Sequence, residues 1–161
     1  MDLNMTKRGF LGGSLTALGG LLTGCGASDA KESFEITKSE AEWRRILSPA
    51  SFAVLRKEDT ERPRSSPLNA EKRRGIYACA GCALPLYRSE TKFESGTGWP
   101  SFYAPIANAV GTRPDGFGPF KRTEVHCRRC GGHLGHVFDD GPPPTGKRYC
   151  MNGAAMVFRA A

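Results

Sequence analysis

Four cysteines lie in two Cys-x-x-Cys pairs, Cys79 with Cys82 and Cys127 with Cys130. Two cysteines separated by two residues can both point inward from one tight turn, and two such turns supply the four thiolates of a tetrahedral zinc site. Because the pairs are far apart in the sequence, the metal would hold a larger domain together. Four thiolates leave no open coordination position for water or substrate, so the spacing predicts one structural zinc ion per chain.

Disulfide bonds are the alternative for these cysteines. The chain has six cysteines, an even number, and disulfides form in exported proteins. His126 directly precedes Cys127 and is a competing ligand, but a closed four-thiolate site does not need a fifth donor. Zinc is the prediction, and disulfides within or between the pairs remain open.

Cys150 is the cysteine that these assignments leave for chemistry. A free thiol in an exported protein is exposed to oxidation, which suggests a function, although a single cysteine is more often a small apolar core residue. Lys147 and Arg148 add positive charge that favours a thiolate. His133 and His136 can donate protons near neutral pH. Spacing alone does not show whether these side chains meet.

Two further residues have positions that favour a role in the same chemistry. Asn152 follows Cys150 by two residues, so on a strand both side chains point to the same face. Trp99 follows a glycine-rich turn and precedes Pro100, a setting that can present an indole to a pocket. Taken alone, core packing is the alternative for Trp99, and it is the prediction for Trp43 and Phe52.

The first 25 residues have the pattern of an export signal. Lys7 and Arg8 precede an apolar run over 10–22 that is too short to span a bilayer. The run ends in Leu22-Thr-Gly-Cys25, which resembles a bacterial lipobox, and Lys7-Arg8 resembles a twin-arginine signal with one substitution. We therefore expect a signal peptide over 1–25 with lipidation at Cys25, a tether over 26–37 and one domain over 38–161. An ordinary cleaved leader without lipid is the alternative.

Composition favours short strands over a helical bundle, because the chain has 20 glycines and 11 prolines. The pattern predicts a helix over 39–47 that ends, or is followed by a second short helix, at Pro49. It predicts strands over 76–79, 84–87, 121–126, 134–138, 147–151 and 156–158, with a loop over 109–120.

The net charge of +7 raises the question of nucleic acid. The basic residues are scattered and lack interleaved aromatic residues, so a zinc-ribbon module that binds nucleic acid is the weaker interpretation. A non-catalytic scaffold held by disulfides is a second alternative. The expected setting is the cell envelope or periplasm, with a membrane contact only through the lipid.

Seven short motifs in order resemble the B-type methionine sulfoxide reductases over about residues 40–158. They are Cys79-x-x-Cys82, Ser95-Gly-Thr-Gly-Trp-Pro-Ser-Phe102, Arg122-Thr-Glu-Val125, Cys127-x-x-Cys130, His133-Leu-Gly-His-Val-Phe138, Asp140-Gly-Pro142 and Arg148-Tyr-Cys-Met-Asn152. The resemblance implies a mainly β fold of two antiparallel sheets with a few short peripheral helices. It also implies reduction of the R epimer of methionine sulfoxide, free or in proteins. We expect the protein to be a monomer.

The resemblance further implies a role for each site residue. Cys150 attacks the sulfoxide sulfur and becomes a sulfenic acid, and Arg148 helps to hold its thiolate. The sulfoxide oxygen is bound or protonated by His133, His136 and Asn152. The methyl group packs against Trp99, with Phe138 nearby.

Thr97 marks a departure from many members of that family, which often carry a second, resolving cysteine at this place. We therefore expect a one-cysteine cycle in which an external thiol attacks the Cys150 sulfenic acid directly. The thiol belongs to a thioredoxin-fold protein or to a small molecule.

Overall fold

The structure is a computed structural model that describes residues 32–161. The predicted signal peptide over 1–25, the lipidation of Cys25 and part of the tether over 26–37 lie outside the described residues. Within 32–161, no helix combines the length and apolar character needed to cross a bilayer.

Two short helices precede the sheets, α1 (Glu40–Ile46) and α2 (Pro49–Lys57). Ser39 caps α1, because its hydroxyl accepts the N–H of Glu42 while the Glu42 carboxylate accepts the N–H of Ser39. Ser48 caps α2, because its hydroxyl accepts the N–H of Ser51 in the first turn. Both helices therefore start where local capping predicts, and the second begins at the proline.

Among residues 32–161, nine strands form two antiparallel sheets. The strands are β1 (Gly75–Cys79), β2 (Pro85–Arg88), β3 (Lys92–Phe93), β4 (Ser101–Phe102), β5 (Val110–Asp115), β6 (Arg122–Cys127), β7 (His133–Phe138), β8 (Arg148–Met151) and β9 (Met156–Ala160). The smaller sheet has the order β2-β1-β9, and the larger has the order β3-β4-β8-β7-β6-β5. The predicted fold class, mainly β with two antiparallel sheets and short helices, is confirmed.

Aromatic rings join the two sheets in the core. Tyr77 and Tyr87 from the smaller sheet and Phe102 from the larger one are fully buried. The Phe102 ring lies 4.9 Å from that of Tyr77 in an edge-to-face arrangement and stacks at 4.3 Å on that of Tyr87. Trp43 and Phe52 from the helices are also core residues, as the sequence predicted.

The loop predicted over 109–120 is wrong in its first half, because Val110–Asp115 is a strand paired with β6. Gly111 and Pro114 favoured the loop interpretation. Pro114 is tolerated because β5 is an edge strand of the larger sheet. Gly111 is required by packing, since a Cβ there would lie 2.3 Å from His126 Nε2. The missed strand brings two charged side chains, Arg113 and Asp115, beside the site described next.

Candidate active site

The sheet register sets Cys150 beside His136. On the larger sheet, Cys150 of β8 lies opposite His136 of β7 on one side and opposite Ser101 of β4 on the other. Opposed residues of antiparallel strands point to the same face, so these three side chains share one surface. The next residue, Met151, points to the other face and is fully buried in the core. Cys150 itself is half-buried and accessible from this surface.

A cavity of about 180 Å³ opens at Cys150. Its lining residues are Thr60, Trp99, Arg122, Gly135, His136, Phe138, Cys150 and Asn152. The structure thus brings together five of the seven predicted catalytic and substrate-binding residues around one cavity. Of the other two, His133 lies beside His136, with ring centroids 5.4 Å apart, and Arg148 lies against Phe138.

Arg148 is held between a carboxylate and an aromatic ring. Its guanidinium donates two hydrogen bonds of 2.9 Å to the Asp140 carboxylate and lies 4.4 Å from the centre of the Phe138 ring. The hydrogen bond to Asp140 raises the pKa of Arg148, and the Cys150 sulfur acts in the same direction. Lys147 pairs instead with the exposed carboxylate of Asp139. Of the two predicted cations, Arg148 is therefore the one whose charge interacts with the Cys150 sulfur.

His136 is connected to a carboxylate on the edge strand. Its Nε2 lies 2.7 Å from Asp115 Oδ2, which also accepts a hydrogen bond of 2.8 Å from Arg122. Burial lowers the pKa of His136, the hydrogen bond to Asp115 opposes this, and the charge of Arg122 adds to the lowering. The hydrogen bond to His136 and the charge of Arg122 lower the pKa of Asp115 despite its partial desolvation, so this carboxylate is ionised.

A second and more deeply buried chain of the same kind supports His133. Its Nδ1 lies 2.7 Å from Glu124 Oε1, and the other carboxylate oxygen of Glu124 pairs with Arg113. Burial raises the pKa of Glu124, but the hydrogen bond with His133 and the charge of Arg113 outweigh it, so the net pKa is lowered. An ionised Glu124 accepts the Nδ1 hydrogen. The buried Nε2 of His133 has no hydrogen-bond partner within the described chain.

Sequence reasoning missed the four charged residues that support the histidines. Asp115 and Arg113 fall in the loop that the sequence predicts, and Glu124 and Arg122 stand in a motif that by itself gives them no role. Strand alternation through 110–115 would have been the signal, because it sets Arg113 and Asp115 two residues apart on one face.

Trp99 is oriented by a segment that precedes the sheets. Its indole Nε1 donates a hydrogen bond of 3.1 Å to the backbone carbonyl of Glu61. Gly98 precedes it with φ +92°, and a Cβ there would lie 2.9 Å from Pro63 Cβ. The predicted glycine-rich turn is therefore needed for close approach of the segment that contains Glu61 and Pro63.

Asn152 reaches the cavity by a different route from the one predicted. It lies one residue beyond the end of β8, so the strand-face argument does not apply. Its Oδ1 accepts the N–H of Glu61 at 3.0 Å, and its Nδ2 donates to the carbonyl of Leu134 at 3.2 Å. The buried amide still has one N–H free to face the cavity.

A chain of hydroxyl groups borders Cys150. Thr97 Oγ1 lies 3.8 Å from Cys150 Sγ, Ser95 Oγ lies 2.8 Å from Thr97 Oγ1, and Ser101 Oγ lies 2.7 Å from Ser95 Oγ. Within 32–161 the cysteines other than Cys150 are the four of the two pairs, so no further thiol stands beside Cys150.

The two Cys-x-x-Cys turns meet in one cluster. All four sulfur atoms lie within 4.8 Å of one another, with Cys79 and Cys130 at 3.7 Å and Cys82 and Cys127 at 3.5 Å. These distances far exceed a disulfide bond of about 2.05 Å. Four ligands at about 2.3 Å around a tetrahedral ion are about 3.8 Å apart. The cluster therefore fits a metal ion.

Comparison with known proteins agrees with this geometry. The family model described as SelR domain matches residues 47–160. Peptide methionine sulfoxide reductase MsrB of Agrobacterium fabrum is 50% identical over 125 residues, which cover 77% of this chain and 93% of that protein. The chain belongs to the B-type methionine sulfoxide reductases. The protein named MsrB in Methanosarcina mazei is 53% identical over 125 residues, covering 77% of this chain and 89% of that protein.

A plant member of the B-type reductases matches more of this chain. Peptide methionine sulfoxide reductase B2, chloroplastic, of Arabidopsis thaliana is 46% identical over 154 residues, which cover 94% of this chain and 70% of that protein. The resemblance predicted from seven short motifs is confirmed.

Replacement of Asp115 by Asn tests the first of the two histidine chains. A neutral amide does not favour an imidazolium as a carboxylate does, so we expect the pKa of His136 to fall below its already lowered value. Titration of the ring resonances by NMR measures this directly. Glu90→Gln, which removes an exposed carboxylate from the helical turn before β3, is the control and should leave His136 unchanged. An unchanged or higher His136 pKa in Asp115→Asn would contradict the arrangement.

Proposed function

We propose that this protein reduces the R epimer of methionine sulfoxide, in proteins or free, to methionine, with Cys150 as the nucleophile. The observation that carries the proposal is the accessible thiol of Cys150 in a small cavity between Trp99 and His136. Such a cavity suits one side chain, since sites for drug-sized ligands are usually larger than about 300 Å³. Membership of the B-type reductases supplies the reaction.

The reaction moves one oxygen atom from sulfur to sulfur. The thiolate of Cys150 attacks the sulfoxide sulfur while the sulfoxide oxygen takes up a proton. The S–S bond formed by this attack then breaks as the hydroxyl passes to the Cys150 sulfur, so methionine leaves with the electron pair of that bond on its sulfur and Cys150 becomes a sulfenic acid. The Arg148 charge stabilises the thiolate before attack, and the Thr97 hydroxyl faces the same sulfur.

His136 is the proton donor that we favour, because it borders the cavity directly and lies opposite Cys150 in the register. A protonated imidazole donates to the oxygen as the S–O bond weakens. His133 and the free N–H of Asn152 hold the same oxygen from the side. The Asp115 carboxylate favours the protonated form of His136 and so opposes the burial that lowers the pKa of this histidine.

Trp99 and Phe138 form the apolar wall for the methyl group. The hydrogen bond from the Trp99 indole N–H to Glu61 holds the ring in place before the substrate binds. The Trp99 side chain therefore loses little further rotamer freedom on binding. Thioether sulfur makes favourable contacts with aromatic rings, which suits both the substrate and the methionine that leaves.

The metal in the four-cysteine cluster is proposed to be zinc with a structural role. Zinc favours four thiolates in a closed tetrahedron, and the distances between the sulfur atoms suit it. Bound there, it would hold Cys79, Cys82, Cys127 and Cys130 as thiolates and join their two turns. It takes no part in the reduction.

An external thiol is proposed to restore Cys150. The thiolate of the reductant attacks the sulfenic sulfur and releases water, which leaves a mixed disulfide. A second thiol of the reductant, or a second small thiol, then resolves this disulfide and returns Cys150 as a thiol. A thioredoxin-fold protein, or two molecules of a small thiol, supplies both electrons, and the monomer suffices because one chain contains the whole cavity.

Cys150→Ser is the first test, made on a protein that lacks residues 1–31 and is supplied with dithiothreitol. We expect the parent to turn over methionine-R-sulfoxide but not the S epimer, and the variant to lose this activity at least 1000-fold, as nucleophile removal does in other enzymes. Reversed-phase separation of the products measures both epimers. A folded parent without R-epimer turnover would refute the proposed function.

Elemental analysis of the same proteins tests the metal. Parent and Cys150→Ser should both contain one zinc ion per chain, whereas Cys82→Ser should contain less zinc and melt at a lower temperature. Parent protein without zinc but with disulfides would refute the structural metal.

The one-cysteine cycle predicts a sulfenic acid that persists until a thiol arrives. After one turnover without reductant, dimedone should label Cys150, and the parent should contain no intramolecular disulfide. Thr97→Cys should instead form a disulfide between positions 97 and 150, since the two side chains are 3.8 Å apart. Thr112→Cys is the control, because β5 is three strands from β8, or about 14 Å. A disulfide in the oxidised parent would contradict this cycle.

Residues 1–25 support a cell-envelope location with a lipid on Cys25. In a bacterial host, the full chain should then be recovered in the membrane fraction with diacylglycerol on an N-terminal cysteine, measured by intact mass. Cys25→Ser should be soluble or keep its leader. Unmodified protein with the leader attached in the cytoplasm would contradict the proposal.

A further inference from the structure

Glu61 makes four hydrogen bonds around the substrate cavity, although its own side chain does not line it. Its carboxylate accepts the N–H of Gly153 at 2.6 Å and the N–H of Ala154 at 2.8 Å. Its backbone carbonyl accepts the indole N–H of Trp99 at 3.1 Å, and its backbone N–H donates to Asn152 Oδ1 at 3.0 Å. One residue therefore connects two walls of the cavity.

The segment around Glu61 has no sheet or helix of its own to hold it. Residues 58–66 follow α2 and precede a helical turn at 67–69. The carboxylate bonds of Glu61 are charge-assisted and therefore stronger than neutral ones. They tie this segment to the turn that directly follows Asn152. The backbone of Glu61, which orients Trp99, is thus fixed by its own side chain.

Gly153 shows how close this contact is. A Cβ at Gly153 would lie 2.0 Å from Ser66 Oγ and 3.3 Å from Glu61 Oε1. The absence of a side chain lets the Glu61 segment lie directly against the backbone after Asn152. The hydrogen bond of 2.6 Å between Gly153 N–H and the Glu61 carboxylate leaves little freedom of movement. A shift of this carboxylate therefore moves the Glu61 backbone, and with it the indole of Trp99 and the amide of Asn152.

We propose that Glu61 is a positioning residue that fixes the spacing between Trp99 and Asn152, and thereby selects a sulfoxide with a methyl group over one with a larger group. The inference deepens the proposed function and rests on it. A segment that loosens would let the indole recede, so the cavity would admit an ethyl group while holding the methyl group less well. Glu61 itself touches no reacting atom.

Glu61→Gln is the decisive variant, because the side chain keeps its shape. Its amide can accept one of the two N–H groups but turns an NH₂ towards the other, so one bond is lost. We expect KM for methionine-R-sulfoxide to rise about tenfold, the equivalent of one lost hydrogen bond, with a smaller change in kcat. The ratio of kcat/KM for methionine-R-sulfoxide to that for ethionine-R-sulfoxide should fall by about the same factor.

The indole N–H provides a readout that does not require activity. The chain has two tryptophans, so the Trp99 Nε1–H resonance can be assigned by its loss in Trp99→Phe. In Glu61→Gln this resonance should shift and exchange faster with solvent. Glu71→Gln is the matched control, because the Glu71 carboxylate also accepts a backbone N–H, that of Arg73, away from the cavity. The control should change neither the resonance nor the substrate ratio.

A purely structural role for Glu61 would give a different result. It would lower the melting temperature and reduce kcat/KM for both sulfoxides equally, and an unchanged ratio in Glu61→Gln overturns the inference. Glu61→Asp, which keeps the charge but is one methylene shorter, replaces Glu61→Gln if that protein does not fold, and its ratio should also fall. Failure of the proposed function is distinguishable, because the parent would then lack R-epimer turnover while the Trp99 resonance still responds to Glu61.

Discussion

The four-cysteine cluster is the constraint on which the two-sheet arrangement depends. Cys79 ends β1 of the smaller sheet, and Cys127 ends β6 of the larger one. An ion held by both turns would fix the two sheets at one point, and the aromatic contacts of Phe102 with Tyr77 and Tyr87 fix them at another. Four clustered thiolates without a cation would repel one another, so we expect metal and sheet packing to depend on each other.

The larger sheet aligns a row of side chains across its strands. Its register sets Arg113, Glu124, His136, Cys150 and Ser101 opposite one another across five strands. Because opposed residues share a face, the Cys150 thiol, the His136 ring and the Glu124 carboxylate lie on one surface without any loop having to close. The Cys150 thiol is thus supported by hydrogen-bonded strands, while Trp99 and Asn152 reach the cavity from turns held against that surface.

Burial explains why the histidines need charged partners. His136 and His133 are each linked to a carboxylate, and each carboxylate is paired with an arginine. A buried imidazolium without a counter-charge would lose its proton, and a buried carboxylate without a cation would take one up. At His136 the hydrogen bond to Asp115 opposes the lowering of the pKa by burial and by the Arg122 charge.

The sequence by itself determined the local chemistry, that is, the two metal turns, the lone thiol and the cap that starts α1. Each depends on residues within a few positions of one another, so spacing is enough to predict it. Tertiary structure alone decided that the edge strand β5 supplies Asp115 to His136, and that Glu61 holds both Trp99 and Asn152. These partners are far apart in the chain, and strand pairing and close backbone packing bring them together, which local spacing does not encode.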